Sequence, residues 1–321
     1  MKLHSFTGRI ALLLALAAFV LPVQATDTLS TACNDASAVL PGDSSAVAVI
    51  PGQTGDPAPY TYEFGGEIRE YWLHLPEGPS AGKPLIVLLH GYGGKAKGYQ
   101  QKLVDRALER GFAVCVPQGA KDGRGKNCWN VGYCFHDGLE RDDVAFIREL
   151  CAYLQKTYGF SRRNTFLTGM SNGGEMCYLF AFRSPQTFSA IASMAGLLMQ
   201  WIPEKHGHIR KPVAFMEVHG TADHTSEWDG DLTNAGGWGE YLGVDTAISY
   251  VTAAAKCRTE TTETLPLLDP DKPSNTVVLH RFEGGRKPVL LYEVKGGRHS
   301  WATDAFDSHG AILDFFEARI K

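Results

Sequence analysis

Three features of this 321-residue sequence predict an α/β fold, a mainly parallel central sheet with helices on both faces. Apolar runs of strand length alternate with longer amphipathic stretches. The run Pro84 to His90 is apolar almost throughout, as a strand buried on both faces requires. Several of these runs end in glycine or lead into helix-capping residues.

In order, Ile68 to Leu75 reads as a strand, Pro84 to His90 as the buried strand and Lys95 to Arg110 as a helix. Phe112 to Pro117 is a strand. Arg141 to Tyr158 is an amphipathic helix started by Asp142 or Asp143. A strand over Asn164 to Gly169, a helix over Asn172 to Phe182 and strands near Ala190 to Ala195 and Val213 to Val218 follow. A helix near Val244 to Ala255, a strand over Val289 to Val294 and a closing helix from Ala305 to Ile320 complete the set. No internal repeat is visible, and single α/β domains often exceed ~250 residues, so one catalytic domain over 61–321 is expected.

The first 25 residues read as a signal peptide, with Lys2 and Arg9 ahead of the apolar run Ile10 to Val20 and a small-residue site at Val23-Gln24-Ala25. A membrane anchor is the competing reading, but the run is shorter than the ~20 residues that span a bilayer. Export is therefore expected, to the periplasm or beyond the cell. Residues 26–60 form an irregular lead-in with one short strand at Ala46 to Ile50.

The formal charge of −4 becomes about −6 once Lys2 and Arg9 are removed, and no basic run is present. Nucleic acid and anionic membrane surfaces are thus excluded as partners. All seven cysteines lie beyond residue 25, so at least one is unpaired. Cys128 and Cys134 bracket a short loop and are the expected local disulfide, while Cys151 and Cys177 fall on apolar helix faces as core thiols. No C-x-x-C pair occurs, and His206 and His208 have no thiolates nearby, so neither a metal nor a cofactor is expected.

Gly169-Met170-Ser171-Asn172-Gly173 matches G-x-S-x-G and lies between an apolar strand and a helical pattern. Glycine is required two residues to either side because a strand turning sharply into a helix would otherwise bring side chains into collision. Ser171 is the expected nucleophile. His90-Gly91-Tyr92-Gly93-Gly94 follows the buried strand where an oxyanion loop belongs, so the backbone N–H groups of Tyr92 and Asn172 are the expected donors.

The order serine, acid, histidine selects the remaining partners. Val213 to Val218 ends in His219-Gly220-Thr221-Ala222-Asp223, which makes Asp223 the acid ahead of Asp229 and Asp231. His299 follows the last strand through Gly296-Gly297-Arg298 and is the general base, with His224 the alternative. His90 and His219 are read as turn-supporting residues.

Together HGYGG, DDVAFI, GMSNGG, HGTAD and GGRHSW resemble the ordered motifs of carbohydrate esterase family one over residues 60 to 320, and the chain is similar to feruloyl esterases within it. Many members are labelled polyhydroxybutyrate depolymerase. The resemblance implies the α/β-hydrolase fold, a Ser171, Asp223, His299 triad and hydrolysis of hydroxycinnamate esters on arabinoxylan. Relatives often carry adjacent cysteines where this chain has Cys134 followed by Phe135.

Trp129, Trp228, Trp238 and Trp301 lie near motif ends and are candidate walls for a phenolic ring. Core burial is the competing reading for Trp129 and Trp301. Trp228 and Trp238 occupy a Gly-, Asp- and Asn-rich segment without helix or strand periodicity, which favours a pocket role. Acetylxylan or short-chain ester hydrolysis is the alternative activity. Polyester depolymerisation is weaker because no substrate-binding module follows, and a non-catalytic carbohydrate-binding role would leave the triad unexplained.

Overall fold

In the computed structural model, residues 58–321 are described except 137, 270 and 272–274. The expected signal peptide, Cys33 and the short strand at Ala46 to Ile50 lie outside the described residues. Ten strands form the main sheet: β1 (Tyr60–Phe64), β2 (Glu67–His74), β3 (Leu85–Leu89), β4 (Ala113–Pro117), β5 (Thr165–Met170), β6 (Ala190–Met194), β7 (Ala214–Gly220), β8 (Thr259–Thr264), β9 (Val277–Glu283) and β10 (Val289–Val294). Their spatial order is β1-β2-β4-β3-β5-β6-β7-β10-β9-β8. The six central strands from β4 to β10 run parallel, and antiparallel pairs flank them at both ends. This is the predicted α/β-hydrolase architecture.

The apolar runs work as the two-sided burial argument requires. In β3, Leu85, Val87 and Leu89 enter one core and Ile86 and Leu88 the other. The first core is closed by α2 (Asp143–Tyr158), α3 (Asn172–Arg183) and α4 (Val244–Ala255), through residues such as Phe146, Met176 and Val251. The second is closed by α1 (Gln101–Glu109) and α5 (Ser308–Glu317), through Leu103, Val104, Ile312 and Phe316. No described helix is long and apolar enough to cross a membrane.

Asp142 is the residue that caps α2, accepting the Ala145 N–H at 3.0 Å. Asp143 is buried instead against Arg69 at 3.1 Å and Arg141 at 3.0 Å, tying β2 to the helix start. The helix expected from Lys95 begins only at Gln101, because Gln100 takes a left-handed conformation, φ 48°.

The expected Cys128–Cys134 disulfide is not formed, and all six described cysteines are free. Cys128 is buried, its Sγ 3.6 Å from both His136 Nε2 and Arg141 Nη2. Cys134 is exposed and its thiol donates to the Gly237 carbonyl at 3.2 Å. The two sulfurs therefore face different partners across the loop. Cys151 and Cys177 are core thiols as expected.

Candidate active site

Ser171 sits at the turn from β5 into α3 with φ 56° and ψ −122°, a backbone conformation that L-residues rarely hold. Its side chain makes no capping bond to α3, so the hydroxyl is left for other chemistry. The flanking glycines are sterically required. A Cβ on Gly169 would come within 2.7 Å of the Gly173 carbonyl, and one on Gly173 within 2.5 Å of the Leu89 carbonyl. The Ser171 N–H donates to the Met194 carbonyl at 2.8 Å, which pins the turn to the end of β6.

The glycine loop after β3 lies against this serine. A Cβ on Gly91 would meet the Ser171 Cβ at 3.4 Å. His90, buried beneath the loop, donates from Nδ1 to the Gly91 carbonyl at 2.7 Å and accepts the Gly119 N–H on Nε2 at 2.9 Å, which fixes it as the neutral Nδ1 tautomer. Burial likewise pushes its pKa down. The Tyr92 hydroxyl donates to Asp122 at 2.7 Å, and the Gly93 N–H to the Asn127 carbonyl at 2.7 Å. Asn172 is the first residue of α3, where backbone N–H groups have no intrahelical acceptor. Its side chain brackets the Trp129 backbone, accepting the N–H at 2.7 Å and donating to the carbonyl at 3.1 Å.

Asp223 and His299 meet through a 2.7 Å contact between Oδ2 and Nδ1. They follow β7 and β10, which pair in parallel, while Ser171 follows β5, so all three lie at the carboxyl edge of one sheet. The loops are stitched together by Ala222 N–H to Gly297 carbonyl at 2.9 Å and Gly296 N–H to Thr221 Oγ1 at 2.8 Å. Burial pushes the Asp223 carboxyl up, but the hydrogen bond and charge of His299, with the Ser226 and Thr225 amides, hold it below its ordinary value. Asp229 and His224 are exposed, and Asp231 caps its own turn through Thr233 and Gly236.

The four tryptophans separate. Trp129 is fully buried, donating from Nε1 to the His90 carbonyl at 2.9 Å, so it holds the glycine loop after β3 rather than presenting a wall. Trp301 is nearly buried and, with Met170 and Ser300, borders a cleft of about 660 Å³ on the α1 side. Trp238 packs with Tyr92 and Phe135, ring centroids 5.5 and 5.9 Å away, and all three are half-buried. Trp228 stands apart, edge-on to His219 at 6.0 Å.

Several buried groups were not anticipated. Glu175 on α3 is fully buried, and burial lifts its pKa to about 7 against hydrogen bonds from Tyr133 and Asn172. A carboxyl raised this way contributes most to stability below its ordinary value of 4.5, and that contribution is lost as pH rises through about 7. Glu175→Gln is therefore expected to gain stability over wild type by about 3 kcal/mol above neutrality and to match it in acid. Urea denaturation on both sides of that range measures the difference.

Asp122, Cys128 and His136 bring three donors of metal-ligand type within 4.8 Å of one another, a grouping their spacing does not reveal. In the structure these donors have other partners, Tyr92 and backbone amides on Asp122 and Arg141 on Cys128.

Residues 64–235, more than half of the chain, match the family model described as "Esterase: Putative esterase". "Putative esterase NocK" of Nocardia uniformis subsp. tsuyamanensis is 27% identical over 268 residues, 77% of this chain and 75% of that protein. Feruloyl esterase C of Emericella nidulans is 29% identical over 176 residues, 52% of this chain and 59% of that protein, so the match spans less than two thirds of its length. An acetyl xylan esterase from Aspergillus awamori superposes with a TM-score of 0.53 at 15% identity, covering 77% of this chain and 94% of that one, and shares the fold.

Proposed function

The chain belongs to the esterase family, and on that premise we propose that it is a secreted serine carboxylic ester hydrolase that releases hydroxycinnamates from feruloylated arabinoxylan fragments. The observation that carries the reading is the 2.7 Å Asp223–His299 pair on the sheet edge that also bears the strained Ser171. With Asp223 on Nδ1, the Nε2 of His299 is the nitrogen left to take the Ser171 proton. Ser171 Oγ then attacks the ester carbonyl, and the oxyanion is held by the N–H groups of Tyr92 and Asn172. Collapse expels the alcohol, which takes its proton from His299, and water activated by the same imidazole hydrolyses the acyl-enzyme. These steps need only this chain and water.

An aromatic acyl group is favoured by the half-buried set Tyr92, Phe135 and Trp238, which begins one residue from Gly91, where an added Cβ would lie 3.4 Å from the Ser171 Cβ. Flat apolar faces that stay partly open suit a phenolic ring better than an acetyl group, which needs none. Secretion rests on the leader-like residues 1–25. Purified protein is expected to release ferulate from methyl ferulate. Cleavage of acetylated xylan alone would replace the aromatic specificity with acetyl specificity, and cleavage of neither would end the proposal.

A further inference from the structure

Behind the acid of the proposed triad lies a second, completely buried acid–histidine pair. His219 Nδ1 is 3.0 Å from Glu217 Oε1, its Nε2 is 2.8 Å from the Ser226 carbonyl, and neither side chain has any solvent exposure. A carbonyl can only accept, so Nε2 carries a proton. Glu217 Oε1 also accepts the Gly196 N–H at 3.2 Å, as a carboxylate oxygen does. With Glu217 ionised, Nδ1 donates to it, both ring nitrogens bear hydrogen and His219 is an imidazolium. Burial alone would lower its pKa, but the hydrogen bond and charge of Glu217 raise it.

The same ring stands 3.8 Å from Asp223 Oδ2, the oxygen that His299 also contacts. Asp223 Oδ2 is thus flanked by two imidazoles, that of His299, which in the triad reading gains and loses a proton, and that of His219, paired with Glu217. The other groups facing this assembly are Tyr178 and Cys177 on α3, beside Glu217, and Tyr241, near Asp223. None of these three can carry positive charge, so His219 is the group on this side that places positive charge next to the acid.

We propose that His219 is a positioning residue: through Ser226 it fixes the loop that carries Asp223, and its charge, set by Glu217, limits how strongly Asp223 draws a proton onto His299. This rests on the triad reading above. Without that charge Asp223 would hold the His299 imidazolium more tightly, leaving less free base at a given pH.

The test is kcat/KM against pH for wild type, His219→Gln and Glu217→Gln. In His219→Gln the acid limb is expected to move up by about one pH unit, with a roughly tenfold lower plateau as the loop loosens. Glu217→Gln, which removes what holds the charge on His219, is expected to move the limb in the same upward direction. Histidine side-chain 15N NMR of the wild type at about pH 8 should show one ring protonated on both nitrogens, independent of whether either variant folds. A limb unchanged or lowered in folded His219→Gln, or a neutral His219 at that pH, overturns the inference. Undiminished hydrolysis by Ser171→Ala would instead overturn the triad reading itself.

Discussion

Ser171→Ala is expected to lower kcat by about 10⁶-fold while leaving the fold intact. The hydroxyl makes no capping bond, so α3 loses nothing when it is removed. The Ser171 N–H to Met194 and the Gly169 and Gly173 contacts are backbone features that alanine preserves. Ester turnover at substrate saturation, together with a thermal melt, separates these two effects. Ser171→Gly offers a sharper control, because it removes both the proposed nucleophile and the side chain that makes φ 56° costly. It should be as inactive as alanine yet more stable than wild type by about 1 kcal/mol. A glycine variant less stable than alanine would show that the turn is relaxed and that strain has no part in presenting the serine.

The central strands were legible because burial on both faces leaves a continuous apolar run, as in β3. β8 was not legible, since all six of its residues are polar and exposed and only pairing with β9 makes it a strand. β1 alternates in burial but adjoins the lead-in, where its five residues carry little weight. The glycine motifs predicted their own sterics correctly, because the collisions they avoid are local to the turn and the strand beside it.

Where the reading of side chains went astray, the missing information was distant in sequence. Trp129 and Trp238 both sit among Gly and Asn, yet Trp129 is drawn inward by His90 and Asn172, tens of residues away on either side. The Cys128–Cys134 spacing permits a bridge, but Arg141 and His136 turn one thiol inward. The signal for His219 lies in the strand itself. A glutamate and a histidine two apart inside an apolar strand share one face, so each needs the other to be buried.

Asp223→Asn should lower kcat by about 10⁴-fold, and the reason lies in the loop as much as in the lost charge. Asp223 Oδ1 accepts the Thr225 and Ser226 N–H groups at 2.8 and 2.9 Å. An asparagine in this place must put its carbonyl oxygen toward those two donors, because an amide NH₂ there would face N–H against N–H. Its NH₂ then points at His299 Nδ1, where Oδ2 now sits at 2.7 Å. Nδ1 becomes the acceptor, the ring proton moves to Nε2, and the base meets Ser171 already protonated. The fold is retained because both loop amides keep their acceptor. Asp223→Ala removes that acceptor too and should lose stability by about 1–3 kcal/mol in addition to activity. Equal melting temperatures for the two variants would mean that the loop is held elsewhere. Activity in Asp223→Asn within tenfold of wild type would mean that His299 does not take its orientation from this residue.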